Sequence, residues 1–490
     1  MADVLYVHPA KHGTAKSFRG LGTTYPFMPV GVVGLVNLLR SEGISVRGIN
    51  YPAELAREPD FDLAASIGTG GGARVVLIDL HWYEHCFGAI DVARLCKRLM
   101  PDVAVILGGI TATIYAREIL ASHSSVDCVV LGDAEATLVP LVQTLIAGRD
   151  PAEQNLPNLA LRRGGEVVVH APTFCAQPEL LDRLDFVDLS FLDHPDWYRR
   201  MQFSATGLTA DDERNTGHWL CIGRGCSLKC SFCGGGREAQ RAIFGREAAV
   251  MRSPERVAND IGRLADLGVR QVSLSLDPCL AGPQYWRPLL KRLREAGIMI
   301  GLYNEHFALP GREFVRDLAE TADVTYSELG FTLLSGSEAV RRRNGRHFSN
   351  RDFLRLLELL RSIGMPIYVY FSLNLPGENE KTLEETLSLA DRIAGMYPPT
   401  LLKMISMFHT LDPLSPMAEE SGAYGVDITY RSFQDYYNYC RATPAAGRVP
   451  SSALRGFRDR STRDLDAMAE RWNQWSRRRG GFCYPVPPTW

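Results

Sequence analysis

Three cysteines on one short segment have the spacing of an iron–sulfur ligand set. Cys226, Cys230 and Cys233 follow one another as C-x3-C-x2-C, with Phe232 just before the last of them. Thiolates at this density can surround a small iron–sulfur cube. Three ligands leave one iron open to chelate the amino and carboxylate groups of a cofactor. The alternative is a zinc site with Cys221 as fourth ligand, but Cys221 lies within a predicted strand, so the pattern favours iron and sulfide.

A second set of polar residues follows a strand further along the chain. Asn304, Glu305 and His306 come directly after the predicted strand 298–303 and are candidates for cofactor or substrate contacts, Glu305 and His306 as catalytic groups. Tyr436 is a third catalytic candidate, in an aromatic-rich C-terminal segment expected to close over a substrate. His409, Tyr437 and Cys440 are further candidates for the same pocket. The favoured interpretation is core packing for the tyrosines and a buried thiol for Cys440, and the alternative for Asn304, Glu305 and His306 is a solvated loop.

The elements that must position these residues form two series. In the first, five strand-like runs alternate with helical patterns, which predicts a doubly wound, Rossmann-like α/β domain over residues 1–148. The runs are 3–7, 45–49, 74–80, 103–107 and 127–131. Ligands of such sheets sit at the carboxyl ends of the strands. Gly108, Gly109, Gly132 and a long loop after the first strand lie at that edge.

The second series begins after a predicted connector at 149–214. Six strand-like runs separated by helices are fewer than the eight units of a closed (β/α)8 barrel, so residues 215–410 are expected to form an open, partial (β/α)6 barrel. The runs are 218–222, 269–276, 298–303, 326–333, 367–373 and 401–407. Residues 411–490 are expected to form a mostly helical region that caps the barrel.

Composition narrows the classes of partner and location. The 490 residues carry 54 Lys+Arg and 56 Asp+Glu, a formal net charge of −2, which gives no electrostatic reason to expect nucleic acid or an anionic membrane as partner. No apolar run is long enough to span a bilayer, and the N-terminus does not read as a signal peptide. The 11 cysteines are mostly scattered singly, which indicates a reducing, cytoplasmic location.

The cysteine segment and its surroundings resemble the radical S-adenosylmethionine (SAM) superfamily. That resemblance implies a [4Fe–4S] cluster on the three cysteines and SAM on the open iron. Gly234-Gly235-Gly236 stands where the family often has Gly-Gly-Glu, and Leu334-Ser335-Gly336-Ser337-Glu338 resembles its Glu-Ser-Gly-Ser-Glu. Asn374-Leu-Pro-Gly-Glu378 resembles the Gly-x-Pro-Gly-Glu turn. The SAM contacts that this implies are Gly234, Gly235, Gly236, Asn304, Ser335 and Asn374.

The first 146 residues resemble the cobalamin-binding domain that precedes some radical SAM barrels. The motifs are Pro29-Val-Gly31-Val-Val-Gly34-Leu35, Leu107-Gly108-Gly109-Ile-Thr-Ala-Thr113, and the block from Val126 through Gly132 and Glu135 to Thr137. No GxGxxG or GxxxxGK[ST] phosphate loop is present. Asp79-Leu-His81 lacks the glycine of the cobalt-ligating Asp-x-His-x-x-Gly motif, so non-ligating contacts are expected there. The implied cobalamin contacts are Gly31, His81, Trp82, Gly108, Gly109, Thr113, Gly132 and Glu135.

Together the resemblances imply a cobalamin-dependent radical SAM enzyme of the class B methyltransferase type. Such an enzyme abstracts hydrogen with a 5′-deoxyadenosyl radical and passes methyl from methylcobalamin to an unactivated carbon. A small-molecule substrate, such as a specialised metabolite, and a flavodoxin or ferredoxin as electron donor are expected. Alternatives are a cyclase, ring-contracting or rearranging enzyme without methyl transfer, and a cobalamin-binding protein without radical chemistry. Methylthio transfer on tRNA is disfavoured, because no basic C-terminal module is visible.

Overall fold

The computed structural model describes residues 2–14, 26–69, 72–209, 211–409, 411–442, 455–459, 461–479 and 483–484. Within these residues the chain forms two seven-stranded sheets covered by helices, together with two small two-stranded sheets. Most of the long loop predicted after the first strand, residues 15–25, lies outside the described residues.

The first sheet has the order β2-β1-β3-β4-β5-β6-β7. Its strands are β1 (Val4–His8), β2 (Val46–Asn50), β3 (Val75–Asp79), β4 (Ala104–Gly108), β5 (Cys128–Val130), β6 (Leu159–Arg163) and β7 (Glu166–Val169). β1 to β5 pair in parallel, as predicted from their continuous apolar runs. β6 and β7 are antiparallel additions from the segment predicted as a connector. They are joined through Gly164 and Gly165, whose positive φ angles suit a tight hairpin.

Helices cover both faces of this sheet and bury separate apolar cores. They are α1 (Val30–Ser41), α2 (Tyr51–Arg57), α3 (Leu63–Thr69), α4 (Cys86–Leu99), α5 (Ile110–Ile114), α6 (Ala116–Ser122), α7 (Leu138–Ile146) and α9 (Pro195–Met201). Between α7 and α9 lies α8 (Pro178–Arg183), whose Leu181 packs in the core of the second domain instead. The strand order reverses between β1 and β3, and in such sheets ligands bind at the carboxyl ends beside that switch.

The second sheet has the order β18-β15-β14-β13-β12-β11-β8 and is parallel throughout. The remaining strands are β8 (Gly217–Leu220), β9 (Gly223–Arg224), β10 (Val250–Met251), β11 (Gln271–Leu274), β12 (Gly301–His306), β13 (Glu328–Leu334), β14 (Ile367–Ser372), β15 (Leu402–Met407), β16 (Val426–Ile428), β17 (Arg455–Phe457) and β18 (Cys483–Tyr484). In the described part of the chain the edge strands β8 and β18 do not pair with each other, so the barrel is open, as predicted.

Helices between these strands cover the outer face of the barrel sheet. They are α11 (Pro254–Asp266), α12 (Pro283–Glu295), α13 (Arg312–Thr321), α15 (Asn350–Ile363) and α16 (Glu380–Met396). Two further helices lie outside this core: α10 (Arg237–Phe244) contacts α5 of the first domain, and α14 (Glu338–Arg343) packs its Val340 against Leu334 and Leu375. Two of the outer helices are capped by serine, because the Ser253 and Ser349 hydroxyls accept hydrogen bonds from the Arg256 and Asp352 backbone N–H groups.

The C-terminal region is mostly helical, as expected, and divides between the two domains. Its helices are α17 (Pro416–Glu419), α18 (Ser421–Tyr424), α19 (Phe433–Ala442) and α20 (Thr462–Arg479). α20 packs on α16 of the barrel, whereas α19 packs on α4 of the first domain. Tyr436, proposed as catalytic, is buried beside Tyr83 and Tyr115. Tyr437 and Cys440, proposed as pocket residues, lie in the same apolar core.

Among the described residues no helix is both long and apolar enough to cross a membrane.

Candidate active site

A cavity of about 860 Å³ lies between the two sheets, at the large end of small-molecule sites. We call it the interdomain cavity. The first domain lines it with residues that include Phe27, Gly31, His81, Trp82, Gly108, Gly109 and Gly132. The barrel lines it with Trp219, Arg224, Cys226, Gly235, Tyr303, Glu305, Phe307, Tyr368 and Tyr370, among others. The carboxyl edges of two parallel sheets thus share one space.

The first wall of the cavity is built from glycine turns. Gly109 has φ +113°, and a Cβ there would lie 2.7 Å from the Leu80 carbonyl oxygen. Gly132 also has a positive φ. Thr113, predicted to contact cobalamin, instead lies behind the wall: its Oγ1 accepts from the Gly132 N–H at 3.0 Å and donates to the Gly109 carbonyl at 2.8 Å. This threonine fixes the two turns relative to each other.

His81 and Trp82 follow β3 and face the cavity, as predicted. Burial lowers the pKa of His81 to about 4, so its imidazole is neutral at ordinary pH. The Asp79 carboxylate does not orient this ring, because it accepts from Tyr6 Oη at 2.7 Å and contacts His8 Nδ1 at 2.9 Å. Asp79 therefore contacts His8 and not His81, the histidine that follows it in the Asp-x-His pair.

Buried ion pairs join the first domain to the cysteine loop, residues 226–236. Arg224, two residues before Cys226, contacts Glu135 at 2.6 Å and Asp133 at 3.2 Å, and Arg246 contacts Asp133 at 2.5 Å. Glu135, predicted to contact cobalamin, is thus paired with a residue of the barrel domain and does not line the cavity. Its charge positions the segment that leads into the cysteine loop.

Backbone donors point at two of the three cysteine sulfurs. Cys226 Sγ accepts from the Leu228 N–H at 3.4 Å, and Cys233 Sγ accepts from the Gly235 N–H at 3.3 Å. Burial raises the pKa of both thiols, so assembly of a metal centre must displace their protons. Amide donors of this kind stabilise the thiolates of an iron–sulfur cluster.

The third cysteine, Cys230, has a side-chain donor, Arg346. Its Nη1 donates to Cys230 Sγ at 2.9 Å, and the guanidinium is buried. The neighbouring Asn344 accepts a hydrogen bond from the Ser231 hydroxyl at 2.5 Å. The segment after α14 therefore packs directly on the cysteine loop and places a cation against it.

The spacing of the sulfurs suits a polynuclear cluster better than a single zinc ion. Within the described residues, Cys226, Cys230 and Cys233 are not among the side chains whose ligand atoms gather within 4.8 Å of one another. A zinc ion with bonds of about 2.3 Å would hold any two sulfurs closer than that. Cys221, the possible fourth zinc ligand, donates to the Gly223 carbonyl at 3.5 Å.

The three glycines after the cysteines have different roles. Gly235 lines the cavity. The Gly234 N–H donates to Asp412 Oδ2 at 3.0 Å, and a Cβ there would collide with the Pro413 carbonyl oxygen. Gly236 precedes the first residue of α10. Of the predicted SAM-contacting glycines, only Gly235 faces the interdomain cavity.

Two other predicted SAM contacts are occupied by structural hydrogen bonds. Ser335 is fully buried, and its Oγ accepts from the Ser337 N–H at 3.1 Å. The Asn374 amide donates to the His409 carbonyl at 2.9 Å and accepts from the His409 N–H at 2.8 Å. His409 in turn stacks on Phe232 of the cysteine loop at 3.9 Å. Neither Ser335 nor Asn374 lines the interdomain cavity; both shape loops beside it.

Alternation along β12 separates the polar residues that the sequence grouped together. Tyr303 and Glu305 line the cavity, whereas Asn304 and His306 do not, because successive side chains of a strand point to opposite faces. Of the proposed residues on this strand, Glu305 therefore faces the interdomain cavity, whereas Asn304 and His306 face away from it. Thr332 Oγ1 donates to Glu305 at 2.8 Å, and burial raises the pKa of this glutamate.

Sequence reasoning missed three charged residues of the site. Arg224 and Asp133 stand beside recognised motifs, one just before Cys226 and one in the block that ends at Thr137. Their positions in those motifs are a signal that could have found them. Arg346 lies in no motif, and only the fold brings it to the cysteines.

Family comparisons match both halves of the chain. The family described as "Radical SAM superfamily" matches residues 220–390, and the "B12 binding domain" matches residues 21–142. Between them they cover more than half of the chain, in the order of its two sheets. The chain belongs to the cobalamin-dependent radical SAM enzymes.

Solved structures share the fold of this cobalamin-dependent radical SAM enzyme. The radical SAM methyltransferase TsrM from Kitasatospora setae, with cobalamin and a [4Fe–4S] cluster bound, gives a TM-score of 0.60 at 15% identity, over 89% of this chain and 84% of TsrM. The cobalamin-dependent radical enzyme OxsB gives 0.57 at 12% identity, over 93% and 57%. At these identities the likeness shows the fold alone.

Curated relatives carry two kinds of name. A tRNA-2-methylthio-N(6)-dimethylallyladenosine synthase from Corynebacterium diphtheriae is 30% identical over 205 residues, 38% of this chain and 37% of the relative. An anaerobic magnesium-protoporphyrin IX monomethyl ester cyclase from Rubrivivax gelatinosus is 24% identical over 306 residues, 61% and 50%. The chain thus matches half or less of the length of each of these relatives.

The cofactors of the cobalamin-dependent radical SAM enzyme are a [4Fe–4S] cluster, SAM and cobalamin. The observed donor set fits them. Cys226, Cys230 and Cys233 have amide and guanidinium donors aimed at their sulfurs. Gly108 and Gly109 line the first wall of the cavity, where the absence of side chains suits the close backbone approach of a corrin.

Proposed function

We propose that this enzyme is a C-methyltransferase acting on an unactivated carbon of a small molecule. The observation that carries the proposal is the single interdomain cavity, which reaches His81 and Gly109 on one wall and Cys226 and Gly235 on the other. A substrate held there would meet both cofactor sites. TsrM, a methyltransferase with a tryptophan substrate, supports the small-molecule class.

The two cofactors would divide the reaction. When bound, the cluster supplies the electron that cleaves SAM to a hydrogen-abstracting radical, and cobalamin supplies the methyl group that the substrate carbon receives. The chain's own groups hold these parts and exclude water. Glu305 is the titratable side chain best placed on the barrel wall to move a proton, since burial raises its pKa toward neutrality.

The barrel wall suits a substrate with an apolar or aromatic body. Trp219, Tyr303, Tyr368, Tyr370 and Phe307 line it. Aromatic walls bury large planar groups and exclude water. We therefore expect a substrate with a flat, partly apolar body rather than a sugar phosphate or a nucleic acid. A one-electron donor such as flavodoxin or ferredoxin and a reducing, cytoplasmic location complete the proposal, and the ten cysteines with described side chains are all free thiols.

The first test measures iron and cobalt per chain. The protein would be purified without oxygen, reconstituted with iron, sulfide and hydroxocobalamin, and desalted. About four irons and one cobalt are expected. A variant with Cys226, Cys230 and Cys233 replaced by alanine should lose the iron and keep the cobalt. Cys96→Ala, at a buried thiol of α4, is the matched control and should keep both.

The second test follows the methyl group. Reconstituted enzyme would receive SAM with a deuterated methyl group, a one-electron reductant, and tryptophan as the first small-molecule probe, followed by other flat heteroaromatic compounds. 5′-Deoxyadenosine and a labelled, methylated product are expected. Cobalt without iron would indicate a cobalamin-binding protein without radical chemistry. Iron and cobalt with 5′-deoxyadenosine but no labelled product from any probe would contradict methyl transfer.

A cyclase is the second candidate. The match to the anaerobic magnesium-protoporphyrin ester cyclase is longer than that to the tRNA synthase, at 306 residues. Ring closure without methyl transfer would give 5′-deoxyadenosine and a cyclised product that carries no methyl label. The mass of the product therefore separates the two candidates.

A further inference from the structure

A second group of metal-ligating side chains lies on the barrel, apart from the cysteine loop. Asp277, Cys279 and His306 each offer one ligand atom, and these atoms all lie within 4.8 Å of one another. His306 Nδ1 is 3.1 Å from Asp277 Oδ1. A thiol, an imidazole and a carboxylate at this spacing are the ligand types that zinc takes in proteins.

The trio is separate from the interdomain cavity. Tyr303 and Glu305 of β12 face the cavity, and His306 points to the opposite side of the sheet. There its ring packs against Phe314 and Phe331, at centroid distances of 5.6 and 5.7 Å. Asp277 and Cys279 come from the loop between β11 and α12. The group therefore bridges two consecutive strand ends on the helix-covered side of the barrel.

The burial of this group leaves polar atoms without partners. The side chains of Asp277 and His306 are both 0% exposed. Asp277 Oδ1 accepts from the Cys279 N–H at 2.9 Å. Asp277 Oδ2 and His306 Nε2, however, have no hydrogen-bond partner in the part of the chain that the structure describes. A buried carboxylate or imidazole atom without a partner destabilises the folded protein, and another interaction must offset this loss.

We propose that Asp277, Cys279 and His306 bind a divalent transition-metal ion, with zinc the best match to the ligand set. On binding, the Cys279 thiol releases its proton, and the sulfur joins the carboxylate and a neutral imidazole nitrogen around the ion. One thiolate and one carboxylate balance the two positive charges, so the filled site is neutral and suits its apolar surroundings. The ion ties the loop before α12 to the end of β12.

The test uses protein that cannot hold the iron–sulfur cluster, so that its outcome is independent of the proposed function. The parent is the full chain with Cys226, Cys230 and Cys233 replaced by alanine. It would be purified without chelator, and zinc, iron, nickel and copper per chain would be measured. About one zinc is expected. Adding Cys279→Ser or His306→Gln should reduce it at least tenfold, and adding Cys96→Ser, at a buried thiol elsewhere, should not.

A second measurement protects the test against variants that fail to fold. The parent would be stripped with a chelator and titrated with Co²⁺, whose thiolate charge-transfer absorption reports a cysteine ligand. One equivalent of Co²⁺ with that absorption, displaced by zinc, is expected. A parent that retains no divalent metal and shows no thiolate–Co²⁺ absorption would overturn the proposal and make the trio a hydrogen-bonded group only. Loss of iron from the wild-type protein would instead count against the proposed function.

Discussion

The two walls of the interdomain cavity differ in whether backbone or side chains form their surface. The first domain contributes turns from which side chains are absent, such as Gly108 and Gly109, so its backbone forms the surface. The barrel contributes side chains that carry chemistry, such as Glu305 and Tyr370. A backbone surface can receive a large flat cofactor closely, whereas titratable groups can move protons. The difference indicates that the two domains divide cofactor holding and substrate handling between them.

The largest expected effect comes from removing Arg224, whose buried ion pairs join the two domains. Arg224→Met leaves Glu135 buried without its cation, whereas Asp133 keeps Arg246, and removal of one partner from a buried pair costs about 3–5 kcal/mol. The midpoint of urea unfolding would measure this loss. Arg287→Met, which breaks the exposed pair with Glu313, is the control and should cost under about 1 kcal/mol. Equal losses in the two variants would mean that these charges do not join the domains.

The second-largest expected effect comes from Gly109→Ala, which tests whether the first wall requires a residue without a side chain. Gly109→Ala forces a side chain into positive φ and against the Leu80 carbonyl oxygen, so we expect a loss of about 2–3 kcal/mol. Hydroxocobalamin affinity, followed by absorbance, should fall at least tenfold. Gly43→Ala has a similar φ but open space around its Cβ, and it should leave cobalamin affinity unchanged. Unaltered cobalamin affinity in Gly109→Ala would show that this wall is not shaped for a corrin.

On the barrel side, Arg346 should tune the cluster. Its guanidinium donates to Cys230 Sγ, and a cationic donor stabilises the more negative, reduced cluster. Arg346→Gln should lower the reduction potential by about 30–60 mV, where 59 mV is tenfold for one electron. A redox titration followed by electron paramagnetic resonance would measure it, with iron content as the check on loading. Arg346→Lys keeps the charge and should show a smaller shift. An unchanged potential in fully loaded Arg346→Gln would remove this role.

The smallest effect concerns Glu305. Because burial raises its pKa, the protonated form is favoured in the folded protein, and its contribution to stability is present at acid pH and lost as pH rises through the raised pKa. Glu305→Gln has the shape of the protonated glutamate and carries no charge at any pH. At pH values above the raised pKa of Glu305 it should therefore increase the melting temperature, and below about pH 4 it should change nothing. The gain should be under about 1 kcal/mol. Thermal melts across pH would show it, and a gain that is equal at every pH would contradict the assignment.

The sequence predicted the parallel strands and proposed the three cysteines as cluster ligands. Runs such as Val75–Asp79 are buried along their whole length, as strands covered on both faces must be. β6 and β7 were missed because charged residues interrupt their apolar pattern. They form an antiparallel edge, where residues such as Arg163 and Glu166 are tolerated.

Some site residues lie in local sequence motifs, whereas others have partners that are distant in the sequence and that only the fold brings close. Gly109 and Cys226, proposed as a cobalamin contact and a cluster ligand, both line the interdomain cavity, and a turn and a ligand loop are features that the local sequence carries. Glu135 and Thr113 were assigned to cobalamin, yet their partners are Arg224 and the two glycine turns, which no spacing in the sequence reveals. The strand period of two could have separated Glu305 from His306, had the predicted strand been extended by three residues.

The packing of α19 on α4 affects the order in which the protein is completed on the ribosome. Arg94 of α4 bonds Tyr437 of α19 at a separation of 343 residues. At translation rates of 5–20 residues per second, the second partner emerges roughly 20–70 s after the first. Until α19 has been made, the apolar side of α4 is exposed to solvent, and exposed apolar surface is what chaperones bind. The core of the domain that is synthesised first is therefore completed only after strands β8 to β15 of the barrel have been made.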